Sequence, residues 1–119
     1  MPNSSPIDRE TLNTLLDAVG GDPEFLAELL DEFFKDAPVQ FQNMENALAT
    51  HNTEAFRRAA HSMKSNSANF GALALSSMCK DLEEMGKNGQ LGEAAPLLAQ
   101  AKAEYPTVKS ALEAALKEI

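Results

Sequence analysis

Between Asp22 and Leu48 apolar side chains return every third or fourth residue: Phe25, Leu26, Leu29, Leu30, Phe33 and Phe34, then Phe41, Met44 and Leu48. That spacing follows the turn of an α-helix, and no stretch of the chain alternates apolar and polar residues as a half-buried strand does. The same period recurs further on. Leu75, Met78, Cys79, Leu82 and Met85 share one helical face. Leu91, Leu98, Tyr105, Leu112 and Ile119 repeat at seven-residue intervals, with Ala94, Ala101, Val108 and Ala115 in the companion positions. A chain patterned this way buries its stripes by packing helix on helix.

Local signals divide the stripes. A short amphipathic segment from Ile7 carries Leu12, Leu15, Leu16 and Val19 and stops at Gly20 and Gly21. Asp22 followed by Pro23 is an N-cap with proline at the first helical position. Pro38 lies inside the following stripe and predicts a kink rather than an end. Asn52 or Thr53 caps a third helix running to about Phe70, and Gly71 punctuates. The fourth helix ends in the glycine-rich "GKNGQLG", and Pro96 and Pro106 predict a late start, a kink or both in the last segment. The expectation is an all-α fold: an antiparallel four-helix bundle over residues 7–119, with a short extra N-terminal helix as a lid. Residues 1–6, which hold "PNSSP", read as a disordered lead-in. At 119 residues the chain is long enough for one core without disulfide or metal staples.

Composition narrows the function. Ten basic against eighteen acidic residues give a net charge of −8, which argues against nucleic acid or an anionic membrane surface as partner. The single Cys79 cannot form an internal disulfide and suits a reducing compartment. No apolar run reaches the ~18 residues of a spanning helix, and "MPNSSPIDRE" lacks the features of a secretion signal. These features predict a soluble cytoplasmic module.

One stretch of the third helix, "RRAAHSMKSNSANFGA", carries a histidine among small and basic residues. With about 100° per residue and His61 as origin, Arg57 lies at about −40°, Lys64 at about −60°, Ser65 at about +40°, Arg58 at about +60° and Ala68 close to zero. Phe56, Ala59, Met63 and Phe70 gather on the opposite side, flanked by Ala60 and Ser67. His61 therefore points away from the core. A metal site would need further ligands one turn away, and the residues at i−3 and i−4 are Arg58 and Arg57, which cannot ligate. His51, in a predicted turn, reads as a solvated loop residue. No metal is expected. A neutral imidazole is a good nucleophile near pH 7 and can carry a phosphoryl group through an N–P bond. Lys64 and Arg57 would face the added negative charge, while Ser65 and Ala68 keep the surface low for another protein's active site.

The segment "AAHSMKSNSANFGALALSSMCKDLEEM" closely resembles the signature of histidine-containing phosphotransfer (HPt) domains of bacterial two-component phosphorelays. Ala60, His61, Lys64, Ser67, Gly71, Ala72, Leu75, Cys79, Leu82 and Glu83 stand where that pattern wants them. The resemblance implies that His61 is phosphorylated, on Nε2, and that Lys64 stabilises the phosphoryl group. It places Glu83, on the neighbouring helix, where the family often hydrogen-bonds Nδ1; the alternative for Glu83 is a solvated helix charge. Arg57, Arg58, Ser65 and Ala68 are expected on the partner-binding face, the two arginines either as phosphate contacts or as generic docking or solvating charges. Met63 replaces the usual leucine and Ser65 the commonest glycine, so partner fit or rate can differ. Ser67, Gly71 and Cys79 read as structural.

The function implied by the resemblance is that of a monomeric phosphorelay carrier. Such a domain takes a phosphoryl group from one response-regulator receiver aspartate and passes it to another, with a hybrid sensor histidine kinase as a further partner. No cofactor is expected in this domain, and Mg²⁺ is expected in the partner receiver. No nucleotide-binding loop occurs, so no autokinase activity is expected. Two rivals share the bundle: a non-catalytic helical adaptor, and the substrate domain of a chemotaxis-type histidine kinase.

Overall fold

The structure, a computed structural model, describes residues 6–119; all but the last residue of the expected lead-in lies outside the described residues. Among the described residues five α-helices run in the order α1 (Arg9–Ala18), α2 (Pro23–Thr50), α3 (Thr53–Asn69), α4 (Leu73–Lys87) and α5 (Ala95–Lys117), with a 3-10 turn at Leu91–Glu93 before the last. Among the described residues there is no strand. α2 to α5 form the bundle, and the short α1 lies across α2 and α3.

The caps sit at the expected places. Asp22 accepts hydrogen bonds from the backbone N–H groups of Glu24 and Phe25 at 3.0 and 3.4 Å, and Asn52 accepts from that of Ala55 at 3.0 Å. Each satisfies donors that a helix start leaves open. α2 continues without a break past Pro38, with the proline exposed beside the buried Ala37. α5 does start late: Pro96 stands in its first turn, where the missing N–H costs nothing, and the helix continues through Pro106.

The core takes Leu26, Leu30, Phe33, Ala37, Phe41, Met44 and Ala47 from α2 and Leu98, Ala101, Val108, Leu112 and Ala115 from α5. α3 adds Phe56, Ala59, Ala60, Met63 and Ser67, and α4 adds Leu75, Cys79 and Leu82. Burying one such leucine contributes about 1.5–3 kcal/mol. Phe33 stacks on Phe70 with ring centroids 5.1 Å apart and meets Tyr105 edge-on at 6.0 Å, joining α2, the end of α3 and α5.

Two expected core residues lie outside. Phe25 is 46% exposed because it lies about 100° from Leu26, off the buried stripe in the first turn of α2. Ile119 follows the end of α5 and is also exposed. A third difference concerns Gly86. It is not part of the terminator but a buried residue inside α4, continuing the Leu75, Cys79, Leu82 spacing.

The turn between α3 and α4 fixes α1. Gly71 has φ +82°, which side chains rarely adopt, and an added Cβ would lie 2.5 Å from the Asp8 carbonyl oxygen. The Gly71 carbonyl accepts from the Asp8 N–H at 2.6 Å.

Candidate functional site

α3 packs more closely on α4 than any other pair of helices packs. Small side chains permit this: Ala60 and Ser67 of α3 are fully buried, and Ser76 Oγ of α4 donates to the Lys64 carbonyl at 2.9 Å. The Ser67 hydroxyl has no hydrogen-bond partner among the described residues, so its role here is its size.

His61 projects from the middle of α3 on the side opposite Phe56 and Met63, and its side chain is 53% exposed. Glu83 reaches it from α4. The imidazole Nδ1 lies 2.9 Å from Glu83 Oε2, and Lys64 Nζ lies 2.7 Å from Glu83 Oε1. One carboxylate therefore holds both residues. Its own side chain is only 17% exposed. Partial burial raises the Glu83 pKa, but hydrogen bonds and charge from Lys64 and His61 outweigh it and hold the carboxyl below the ordinary glutamate value.

An ionised Glu83 can only accept hydrogen bonds. The contact therefore requires a proton on Nδ1, and the neutral tautomer that satisfies it keeps its lone pair on Nε2, on a ring half-exposed to solvent. A carboxylate behind an imidazole orients the ring and stabilises positive charge that develops on it during attack. Glu83 is thus mostly withdrawn from solvent and lies against both His61 and Lys64.

The other expected residues separate into two groups. Ser65 and Ala68 are half-buried one and two turns beyond His61 and leave low relief beside the ring. Arg57 and Arg58 are engaged elsewhere: Arg57 binds Glu54 through Nη2 at 2.6 Å and Nε at 3.2 Å, and Arg58 Nε lies 3.6 Å from the same carboxylate. Arg57 keeps the Glu54 carboxyl below its usual range, and Glu54 raises the Arg57 guanidinium in turn. His51 sits exposed at the end of α2 in left-handed geometry, with φ 55°. Among the described residues no group of three His, Cys, Asp or Glu side chains converges as metal ligands, and no helix is long and apolar enough to cross a membrane.

Sequence reasoning missed Ser76 and Gly86, which set how closely α4 lies on α3. For Gly86 a signal existed: it occupies a core position of the α4 stripe, where a helix-breaking residue has no role as a stop.

Comparison with known proteins places the chain in a family. A family model described as "Hpt domain" matches residues 28–118. "Histidine-containing phosphotransfer protein 2" of Arabidopsis thaliana is 29% identical over 96 residues, which cover 78% of this chain and 62% of that protein, so the chain spans less than two thirds of its length. The crystal structure of histidine-containing phosphotransfer protein B from Pseudomonas aeruginosa PAO1 matches with a TM-score of 0.87 and 28% identity, covering 98% of this chain and 99% of the other. The HPT domain of a sensor hybrid histidine kinase from Shewanella matches with a TM-score of 0.71, covering 94% and 98% of the two chains; at 18% identity this likeness is one of fold.

Proposed function

The chain belongs to the Hpt domain family, and from that premise we propose that it is a phosphorelay carrier whose phosphorylated residue is His61. The observation that carries this reading is the Glu83 carboxylate 2.9 Å behind Nδ1 of a half-exposed imidazole.

The step balances simply. The Nε2 lone pair attacks phosphorus of an aspartyl phosphate on a receiver domain; the N–P bond forms as the P–O bond to aspartate breaks, and the aspartate leaves as a carboxylate. The imidazole becomes cationic and keeps its Nδ1–H on Glu83, whose negative charge offsets it. Lys64 stands one turn from His61 and can exchange a Glu83 oxygen for a phosphoryl oxygen. Transfer to a second receiver is the same step reversed. Mg²⁺ bound in the receiver supplies the charge neutralisation that phosphoryl transfer needs. Ser65, Ala68, Arg57 and Arg58 form the surface that the receiver covers, with receivers and a hybrid sensor kinase as the partner classes and the cytoplasm as the place of work.

Incubation with phosphorylated receiver domains, followed by label transfer, tests the reading. Acid-labile, base-stable label should appear on the chain and vanish in a folded His61→Gln variant. Undiminished label in that variant would place the acceptor elsewhere.

A further inference from the structure

α3 and α4 run antiparallel, and their contact is tight at both ends. Toward the Gly71 turn, Ser76 holds the Lys64 carbonyl. Toward the other end, Gly86 faces α3 so closely that a Cβ built on it would lie 3.1 Å from Phe56 Cδ2 and 3.2 Å from both Cα and N of Arg57. Two of these three atoms are main chain within a helix. They cannot turn aside as a rotamer can, so relief comes only from moving the helices apart by a few tenths of an ångström. Gly86 is not among the glycines with positive φ, so backbone freedom does not explain it. Glycine is also one of the poorest helix formers. What it provides is the close approach.

Glu83 stands three residues before Gly86, and His61 four residues after Arg57. In an antiparallel pair these are adjacent rungs, one helical turn apart. Nδ1 and Oε2 are 2.9 Å apart, near the optimum for such a bond, so a small separation of the helices moves the pair toward the edge of hydrogen bonding. Resting on the carrier reading, we propose that Gly86 is a positioning residue for phosphotransfer: by letting α4 lie against α3, it sets the distance at which Glu83 holds the Nδ1–H of His61, and with it the fraction of imidazole that presents a bare Nε2.

The test is Gly86→Ala in the full chain, with ring ¹⁵N shifts of labelled histidine reporting the His61 tautomer and single-turnover label transfer from a phosphorylated receiver reporting rate. Alanine favours helix, so any loss does not come from propensity. The Nδ1–H fraction should fall and transfer should slow about tenfold, the worth of one charge-assisted hydrogen bond. Glu83→Asp, which withdraws the carboxylate by one methylene without touching the helix contact, should reproduce the tautomer change. The two substitutions together should add little to either alone. Ala101→Gly, at a buried site in α5, should lower stability and leave the tautomer unmoved. Should the bundle not tolerate the methyl group, Gly86→Ala with Phe56→Leu, which removes the ring atom at 3.1 Å, is read in the same way. A wild-type tautomer in the folded variant, whatever its rate, overturns the proposal. Wild-type chain that takes no label from any receiver sinks the carrier reading instead, while the tautomer comparison still judges Gly86.

Discussion

Replacing Glu83 by glutamine keeps the shape of the side chain and removes its charge. The carboxylate accepts from Nδ1 of His61 at 2.9 Å and from Nζ of Lys64 at 2.7 Å. Glutamine retains one acceptor oxygen and turns an NH₂ toward the remaining donor, so one contact is lost and the other weakened. A hydrogen bond to a charged group contributes about 1.5–3 kcal/mol, and the exposure of His61 and Lys64 lets water recover part of it, so we expect Glu83→Gln to destabilise the fold by about 1–2 kcal/mol at pH 7. For a domain of this size that is a fall in Tm of about 3–8 °C. The pH dependence has a definite sign. The folded pKa of Glu83 lies below its ordinary value, so its stabilisation is fully present above the unfolded value of about 4.3 and is lost as pH falls through the folded value. Urea unfolding of both chains at pH 7 and pH 3 checks this: the gap should be open at pH 7 and narrower at pH 3, as Glu83 takes up a proton and comes to resemble glutamine. A gap of equal size at both pH values would show that packing, and not charge, explains the loss. No gap at pH 7 would show that the pair contributes nothing to folding.

Lys64→Ala should slow single-turnover transfer about tenfold, and Lys64→Arg should restore part of the rate, since both cations can reach a phosphoryl oxygen; an unchanged rate in Lys64→Ala would remove Lys64 from the site. Gly71→Ala should cost about 2–4 kcal/mol, because it combines a left-handed backbone with a Cβ 2.5 Å from the Asp8 carbonyl oxygen. Hydrogen exchange should then show α1 losing protection before the bundle does. The Cys79 thiol, fully buried and pushed up to about 12 by that burial, should resist iodoacetamide at pH 8 in the native chain and react at the rate of unfolding. Rapid labelling of folded protein would contradict its place in the core.

Helical periodicity is a statement about angles around one axis, and what it made legible is of that kind. The buried stripes of α2, α4 and α5, the caps at Asp22 and Asn52, and the outward aim of His61 all follow from one helix at a time. Distances between helices do not. Whether Glu83 is a solvated charge or a partner of His61 depends on how near α4 comes to α3, which small residues at Ala60, Ser76 and Gly86 decide. The pairing of Arg57 and Arg58 with Glu54 is within reach of the sequence, since the residues are three and four apart on one helix, but angle alone places Arg57 beside His61 as a candidate phosphate contact.

The least legible feature is that His61, Lys64 and Glu83 form one unit. Sequence alone turns Lys64 toward the phosphoryl group, and at rest it is bound to the carboxylate that also holds the imidazole. Removing Glu83 therefore frees Lys64 as well as the ring, and removing Lys64 leaves Glu83 with the ring alone. The two substitutions share a partner, so their effects on transfer should not add. A double-mutant cycle over Lys64 and Glu83 should give a coupling well above the scatter expected for independent sites, and independence of the two would mean that the shared carboxylate is a resting contact with no part in the transfer step.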